Sequence, residues 1–351
     1  MAILITKTAL TFSDVLIVPQ YSEVLSRSKV TTLSDMGKFV LKIPVISANM
    51  KDITGVKMCI EMAHLGAMGI LHRFMSADEN VIQYQDILCK LDSEEGDLLN
   101  SPEWSFGVSV GVKEEEKTRF DKLYRAGAKI FTLDIAHGDS LYSKNMLKYM
   151  RDKAGDSIYI IAGNIATGEA AKRLIEWGSD CLKSGVGPGN VCATRTYAGV
   201  GVPQLTAVMD VCDAVKEINP NIKIISDGGI KFTGDVAKAL AYSNAVMIGS
   251  MFSGTTETPG KVYKNENGKY YKTYGGSASG ENKNSTNQDT KFVEGMVKTV
   301  DFKGHVKYIV REIHDGVRSA FSYSGANNFE EYQENVMLRT ISGGGKAESK
   351  I

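Results

Sequence analysis

Eight apolar, β-rich runs bounded by Gly, Asp or Asn, each followed by a stretch of helical periodicity, predict an α/β fold built from parallel strands and crossover helices. That many repeats in about 250 residues match a closed (β/α)8 TIM barrel, whereas an open doubly wound sheet more often stops at about five to seven strands. A third observation sets the outline: after the eighth run a polar segment breaks the pattern, so the barrel carries a mobile flap insertion after strand 8. The chain, 1–351, reads as one barrel domain.

Taken in order, the strand runs are Pro44 to Met50, Met68 to His72, Phe106 to Val112, Lys129 to Asp134, Ile158 to Gly163, Asp180 to Ser184, Lys223 to Asp227 and Ala245 to Ser250. Between them, Gly55 to Leu65, Asn80 to Leu91, Glu114 to Ala126, Tyr142 to Asp152, Gly168 to Trp177, Gln204 to Val215 and Thr233 to Tyr242 are amphipathic enough for helices. The flap covers about 255–303; Gly, Ser, Asn and Lys dominate it and apolar residues are few, so it reads either as a solvated linker or as a lid. A helix from His305 to Ala320 packs back on the barrel, and the glycine-rich tail, 342–351, is expected to be disordered.

Composition narrows the function. The 41 basic and 41 acidic residues cancel, which leaves no overall field to draw in nucleic acid or an anionic membrane surface. The apolar start lacks the parts of a secretory leader, and no run approaches the length of a membrane span, so a cytoplasmic protein is the expectation. Five cysteines at irregular spacing suggest neither disulfides nor zinc. Four of them, Cys59, Cys89, Cys181 and Cys212, read as small buried hydrophobes, and Cys192 stands apart.

Barrel enzymes place their chemistry at the C-terminal ends of the strands. After the sixth run comes Gly185-Val186-Gly187-Pro188-Gly189-Asn190-Val191-Cys192-Ala193-Thr194-Arg195. Its glycines let the backbone approach a ligand, and the spacing is not that of a dinucleotide fingerprint. By itself the loop reads equally as a structural turn. Cys192 separates the readings, because a thiol beside Arg195 and a nest of backbone amides is a candidate nucleophile. Two further glycine turns, Asp227-Gly228-Gly229 and Gly249-Ser250, follow the seventh and eighth runs, where barrels commonly bind phosphate; an aspartate before two glycines suits a ribose diol.

These segments, with Leu10-Thr11-Phe12-Ser13-Asp14-Val15-Leu16, Gly199-Val200-Gly201-Val202-Pro203-Gln204-Leu205 and Gly316-Val317-Arg318-Ser319, resemble the IMP dehydrogenase / GMP reductase family from Leu10 to about Phe329. The resemblance implies that Cys192 attacks purine C2, with Thr194 and Glu294 in proton transfer. It also implies that Asn190, Asp227, Gly229, Gly249, Ser250, Gly276 and Ser277 bind the nucleotide. Ser109, Asp134, Ala136, Gly138 and Asn164 are implied to meet the nicotinamide cofactor, and the carbonyls of Gly187, Gly189 and Cys192 to hold K+. A homotetramer is implied as well.

The family's two activities share the covalent step. Dehydrogenases of this family resemble one another in a flap arginine that activates water, and 277–294 here contains no Arg. Lys291 is a different base without the planar fork. Ala48-Asn49-Met50, Asp134-Ile135-Ala136-His137-Gly138 and Ser26-Arg27-Ser28 resemble the reductase side, and Arg73-Phe74-Met75-Ser76 runs on where dehydrogenases usually insert CBS modules, so no CBS domains are expected. The resemblance therefore implies NADPH-dependent conversion of GMP to IMP and ammonia. The alternative is a short IMP dehydrogenase that uses NAD to make XMP.

Overall fold

The computed structural model describes residues 3–93, 98–275 and 296–349. All eight apolar runs form strands: β1 (Val45–Ser47), β2 (Met68–Leu71), β3 (Phe106–Val110), β4 (Ile130–Leu133), β5 (Tyr159–Ile165), β6 (Cys181–Ser184), β7 (Lys223–Asp227) and β8 (Ala245–Ile248). Each pairs in parallel with its neighbours, and β8 returns to β1, closing the barrel. These strands are buried along nearly their whole length, which explains why they read as continuous apolar runs and not as alternating ones.

The crossover helices are α1 (Val56–His64), α2 (Ala77–Ser93), α3 (Glu114–Arg125), α4 (Leu141–Ala154), α5 (Gly168–Glu176), α6 (Gln204–Ile218) and α7 (Thr233–Leu240). Local chemistry sets their starts. The Ser140 hydroxyl accepts from the Ser143 amide, and the Thr167 hydroxyl accepts from the Ala170 amide, each satisfying a first-turn donor. After the insertion, α8 (Val306–Tyr323) lays Val310, Ile313, Val317 and Phe321 against the core, with its first amide held by the buried Glu257 carboxylate at 2.8 Å.

Three expectations change. Part of the supposedly mobile 255–303 is ordered: β9 (Tyr263–Lys264), β10 (Tyr270–Gly275) and β11 (Val297–Asp301) make a three-stranded antiparallel sheet. Tyr263 stacks on Tyr271, Tyr274 is buried, and the Lys272 ammonium donates to the Thr258 carbonyl at 2.7 Å, so aromatic and aliphatic stems supply the core that the polar composition concealed. Residues 276–295 lie outside the described residues. The tail is not without structure: Ser342 caps a short helix, Gly343–Glu348, and Leu338–Thr340 pairs with Val15–Ile17 beside it. Cys89 is exposed on α2, whereas Cys59, Cys181 and Cys212 are buried as expected. No helix among the described residues is long and apolar enough to cross a membrane.

Candidate active site

The C-terminal ends of β1, β6, β7 and β8 surround a cavity of about 440 Å³. Asn190, Asp227, Gly229, Gly249 and Ser250, named from the sequence, all line it. Gly276, Ser277 and Glu294 fall outside the described residues. The floor is shaped by close approach. Gly229 has φ +79°, and a Cβ there would sit 3.2 Å from the Gln204 side chain, tighter than an ordinary contact. Glycine leaves that backbone open to a bound group.

Asn190 spans two of the loops, its amide donating to the Ser250 hydroxyl at 3.0 Å. Asn190 thus joins the sixth and eighth turns. Two cations that sequence reasoning passed over, Lys231 and Lys303, also line the cavity. The Lys303 ammonium donates to the carbonyls of Ser250 and Met251 at 3.2 and 3.1 Å, and burial pulls its pKa below the usual lysine value. Tyr274 faces the same space, its phenol pushed up by burial and by the carboxylates of Asp227 and Asp52.

Cys192 lies on the glycine loop, half-buried, with Sγ 3.2 Å from the Thr194 hydroxyl. Thr194 opens a four-residue helical turn, Thr194–Tyr197, which places that hydroxyl over the thiol. Arg195 does not occupy the position expected of a thiol activator. Its guanidinium donates to the Val202 carbonyl at 2.6 Å, and its stem covers Gly187 and Gly201. The Gly189 carbonyl accepts the Cys192 amide at 3.1 Å, which folds the loop back on itself. The ordered end of the insertion reaches this loop: Met296 donates to the Val191 carbonyl at 3.1 Å, and the Lys298 ammonium to that of Asn190 at 3.2 Å.

Behind Asp227 lies a polar cluster. Between Gly163 and Ile165 the β5 ladder slips by one residue against β6, so Asn164 bulges out of register. Its side-chain amide donates to Asp227 Oδ2 at 2.8 Å and to the Gly185 carbonyl at 2.7 Å. Lys183, the penultimate residue of β6, completes the cluster with a 2.7 Å ion pair to Asp227. A lysine within an apolar strand was the signal available in the sequence.

The other residues named for a cofactor lie on β3 and the loop after β4. Ser109 is fully buried, and its hydroxyl has no hydrogen-bond partner among the described residues. Asp134 receives Arg73 Nε at 2.8 Å, and Arg73 in turn lies 3.9 Å from Glu116. Ala136 is exposed at the rim, and the buried Gly138 donates its amide to the Asn164 carbonyl at 2.8 Å.

The family model for the IMP dehydrogenase / GMP reductase domain matches residues 9–351. Inosine-5′-monophosphate dehydrogenase from Cryptosporidium parvum is 36% identical, the match covering 97% of this chain and 94% of that protein. GMP reductase from Leishmania donovani is 28% identical over 97% of this chain and 96% of its own length. Among solved structures, a cysteine-to-alanine variant of GMP reductase from Trypanosoma brucei in complex with guanosine 5′-monophosphate superposes with a TM-score of 0.86 at 29% identity, covering 97% of each chain.

Proposed function

The chain belongs to the IMP dehydrogenase / GMP reductase family of oxidoreductases acting on purine nucleotides, and on that premise we propose that it is a GMP reductase. The observation that carries the choice is the absence of any arginine from 277–294, where the water-activating residue of the dehydrogenases would stand. The geometry of the described site suits the step common to both activities. The Cys192 thiolate adds to C2 of the purine; in the reductase reading the Thr194 hydroxyl, 3.2 Å from Sγ, then passes a proton and the 2-amino group of GMP leaves as ammonia. Glu294 is assigned the carboxylate in that transfer.

A nicotinamide dinucleotide, NADPH in this reading, supplies the hydride that C2 takes before the carbon–sulfur bond breaks. Asp134, Ala136, Gly138, Ser109 and Asn164 are the residues proposed to meet it, and Arg73 keeps the Asp134 carboxylate oriented. The carbonyls of Gly187, Gly189 and Cys192 are hard oxygen donors suited to K+. We assign the same reading a cytoplasmic homotetramer.

The dehydrogenase reading is favoured by the higher identity to IMP dehydrogenases, 36% against 28% for the Leishmania reductase. Absorbance at the nicotinamide band decides between them. A GMP reductase oxidises NADPH with GMP and releases ammonia in step; reduction of NAD with IMP, and no oxidation with GMP, establishes the dehydrogenase. Cys192→Ala is expected to abolish either reaction and still bind nucleotide, because the thiol sits on a half-buried loop outside the core.

A further inference from the structure

Lys183 projects from a barrel strand, is 4% exposed, and has no part in the reading above. Its ammonium donates to Asp227 Oδ2 at 2.7 Å and to Asn164 Oδ1. Asn164 Nδ2 donates to the same Oδ2 at 2.8 Å. Two donors thus converge on one carboxylate oxygen, and among the described residues none bonds Oδ1. Asp227 lines the cavity, whereas Lys183 and Asn164 stand behind it.

We propose that Lys183 is a positioning residue that fixes which oxygen of Asp227 faces the sugar, and that through it the site selects a ribose over a deoxyribose 5′-monophosphate. The inference rests on the nucleotide reading and names how that site reads the sugar. A carboxylate on its terminal torsion has a broad, roughly two-fold rotation. The buried ammonium and the Asn164 amide remove that freedom, so Oδ1 is presented in one orientation to a pair of vicinal hydroxyls. Lys183 also neutralises a carboxylate that shares its cavity with a phosphate dianion. The discrimination follows from an acceptor held in place, since a sugar lacking the hydroxyls leaves Oδ1 without its partner.

The test is direct calorimetric binding of GMP and 2′,3′-dideoxy-GMP to the full chain. The parent is expected to prefer GMP. In Lys183→Met the preference is expected to fall about tenfold or more, the scale of a hydrogen bond to a charged group, with dideoxy-GMP weakened less than GMP. In an Asp227→Asn background the same substitution should produce no further fall. If Lys183→Met does not fold, Lys183→Gln is read in the same way and is also expected to lose preference. Equal weakening of both nucleotides, or a preference kept in the folded variant, overturns the role of Lys183. A parent that binds neither nucleotide overturns this role together with the function from which it follows.

Discussion

Gly185 joins β6 to the cysteine loop, and replacing it with alanine isolates how far the site depends on two strand ends lying close. Its φ is +150°, and a Cβ built there would sit 2.1 Å from the Asp227 carbonyl oxygen and 3.1 Å from Gln204 Nε2. The obstacle at 2.1 Å is backbone, so no side chain can swing aside. To reach the 3.0 Å that real Cβ contacts respect, the ends of β6 and β7 must part by about 0.9 Å. Gln204 holds those ends together, donating to the Ser184 carbonyl at 2.8 Å and to that of Asp227 at 3.3 Å. The strained backbone costs about 1–3 kcal/mol and overpacking about as much again, roughly 2–6 kcal/mol in total. Spread over the unfolding entropy of a 351-residue chain, at about 2.1 cal/mol/K per residue, this lowers Tm by roughly 3–8 °C. Scanning calorimetry of Gly185→Ala measures the shift, and GMP titration measures the displacement of Asp227. A variant that melts within about 1 °C of the parent and binds GMP equally well would refute the claim that close strand-end approach holds the site together.

Phe252 is fully buried in the turn after β8, beneath Gly249 and Ser250, and Phe252→Ala should cost about 3–5 kcal/mol. Urea unfolding should show a lower midpoint at unchanged slope, and an unmoved midpoint would place the ring outside the core. His72 is buried beside Lys51 and Arg119, and burial above all holds its pKa down at about 4. Between pH 6.5 and about 4 the unfolded chain takes up a proton that the folded chain refuses, so stability falls with pH across that window and not above it. The loss is about 3 kcal/mol at most, and in His72→Asn the stability difference between pH 7 and pH 4.5 should shrink. An identical pH dependence in the two proteins contradicts the assignment.

The barrel was legible because its strands are buried on both faces and its helices are amphipathic, so two periodicities alternate along the chain. The glycine turns lining the cavity were legible because they follow buried strands at the C-terminal end of the barrel, where its ligand sites lie. Lys183 was hidden by its surroundings: within Cys181-Leu182-Lys183-Ser184 it looks like an intrusion into an apolar run, and only the fold shows a carboxylate and an amide waiting for it. The base of the insertion was misread for a related reason. Composition counts Lys272 and Tyr274 as polar or partly polar, whereas tertiary contacts bury both. Arg195 shows the opposite failure, since sequence proximity to Cys192 does not place its guanidinium on the thiol.

These placements change how an uncharged chain manages an anionic ligand. Glycine turns alone offer partial charges, and Asp227 in the same cavity opposes a phosphate. Lys183 offsets that carboxylate from behind, and Lys231 and Lys303 face the cavity itself. The charge needed by the site is therefore local and nearly balanced, which is why a count of 41 against 41 carried no trace of it. The same geometry divides the labour of the chemistry. Cys192 and Thr194 stand on the loop after β6 and Asp227 ends β7, while Met296 and Lys298 reach the first loop from the ordered return of the insertion and Lys303 reaches the turn after β8. In the proposed function, the step shared by reductase and dehydrogenase falls to the loop after β6 and the end of β7. The step that separates them falls, in this reading, to residues 277–294.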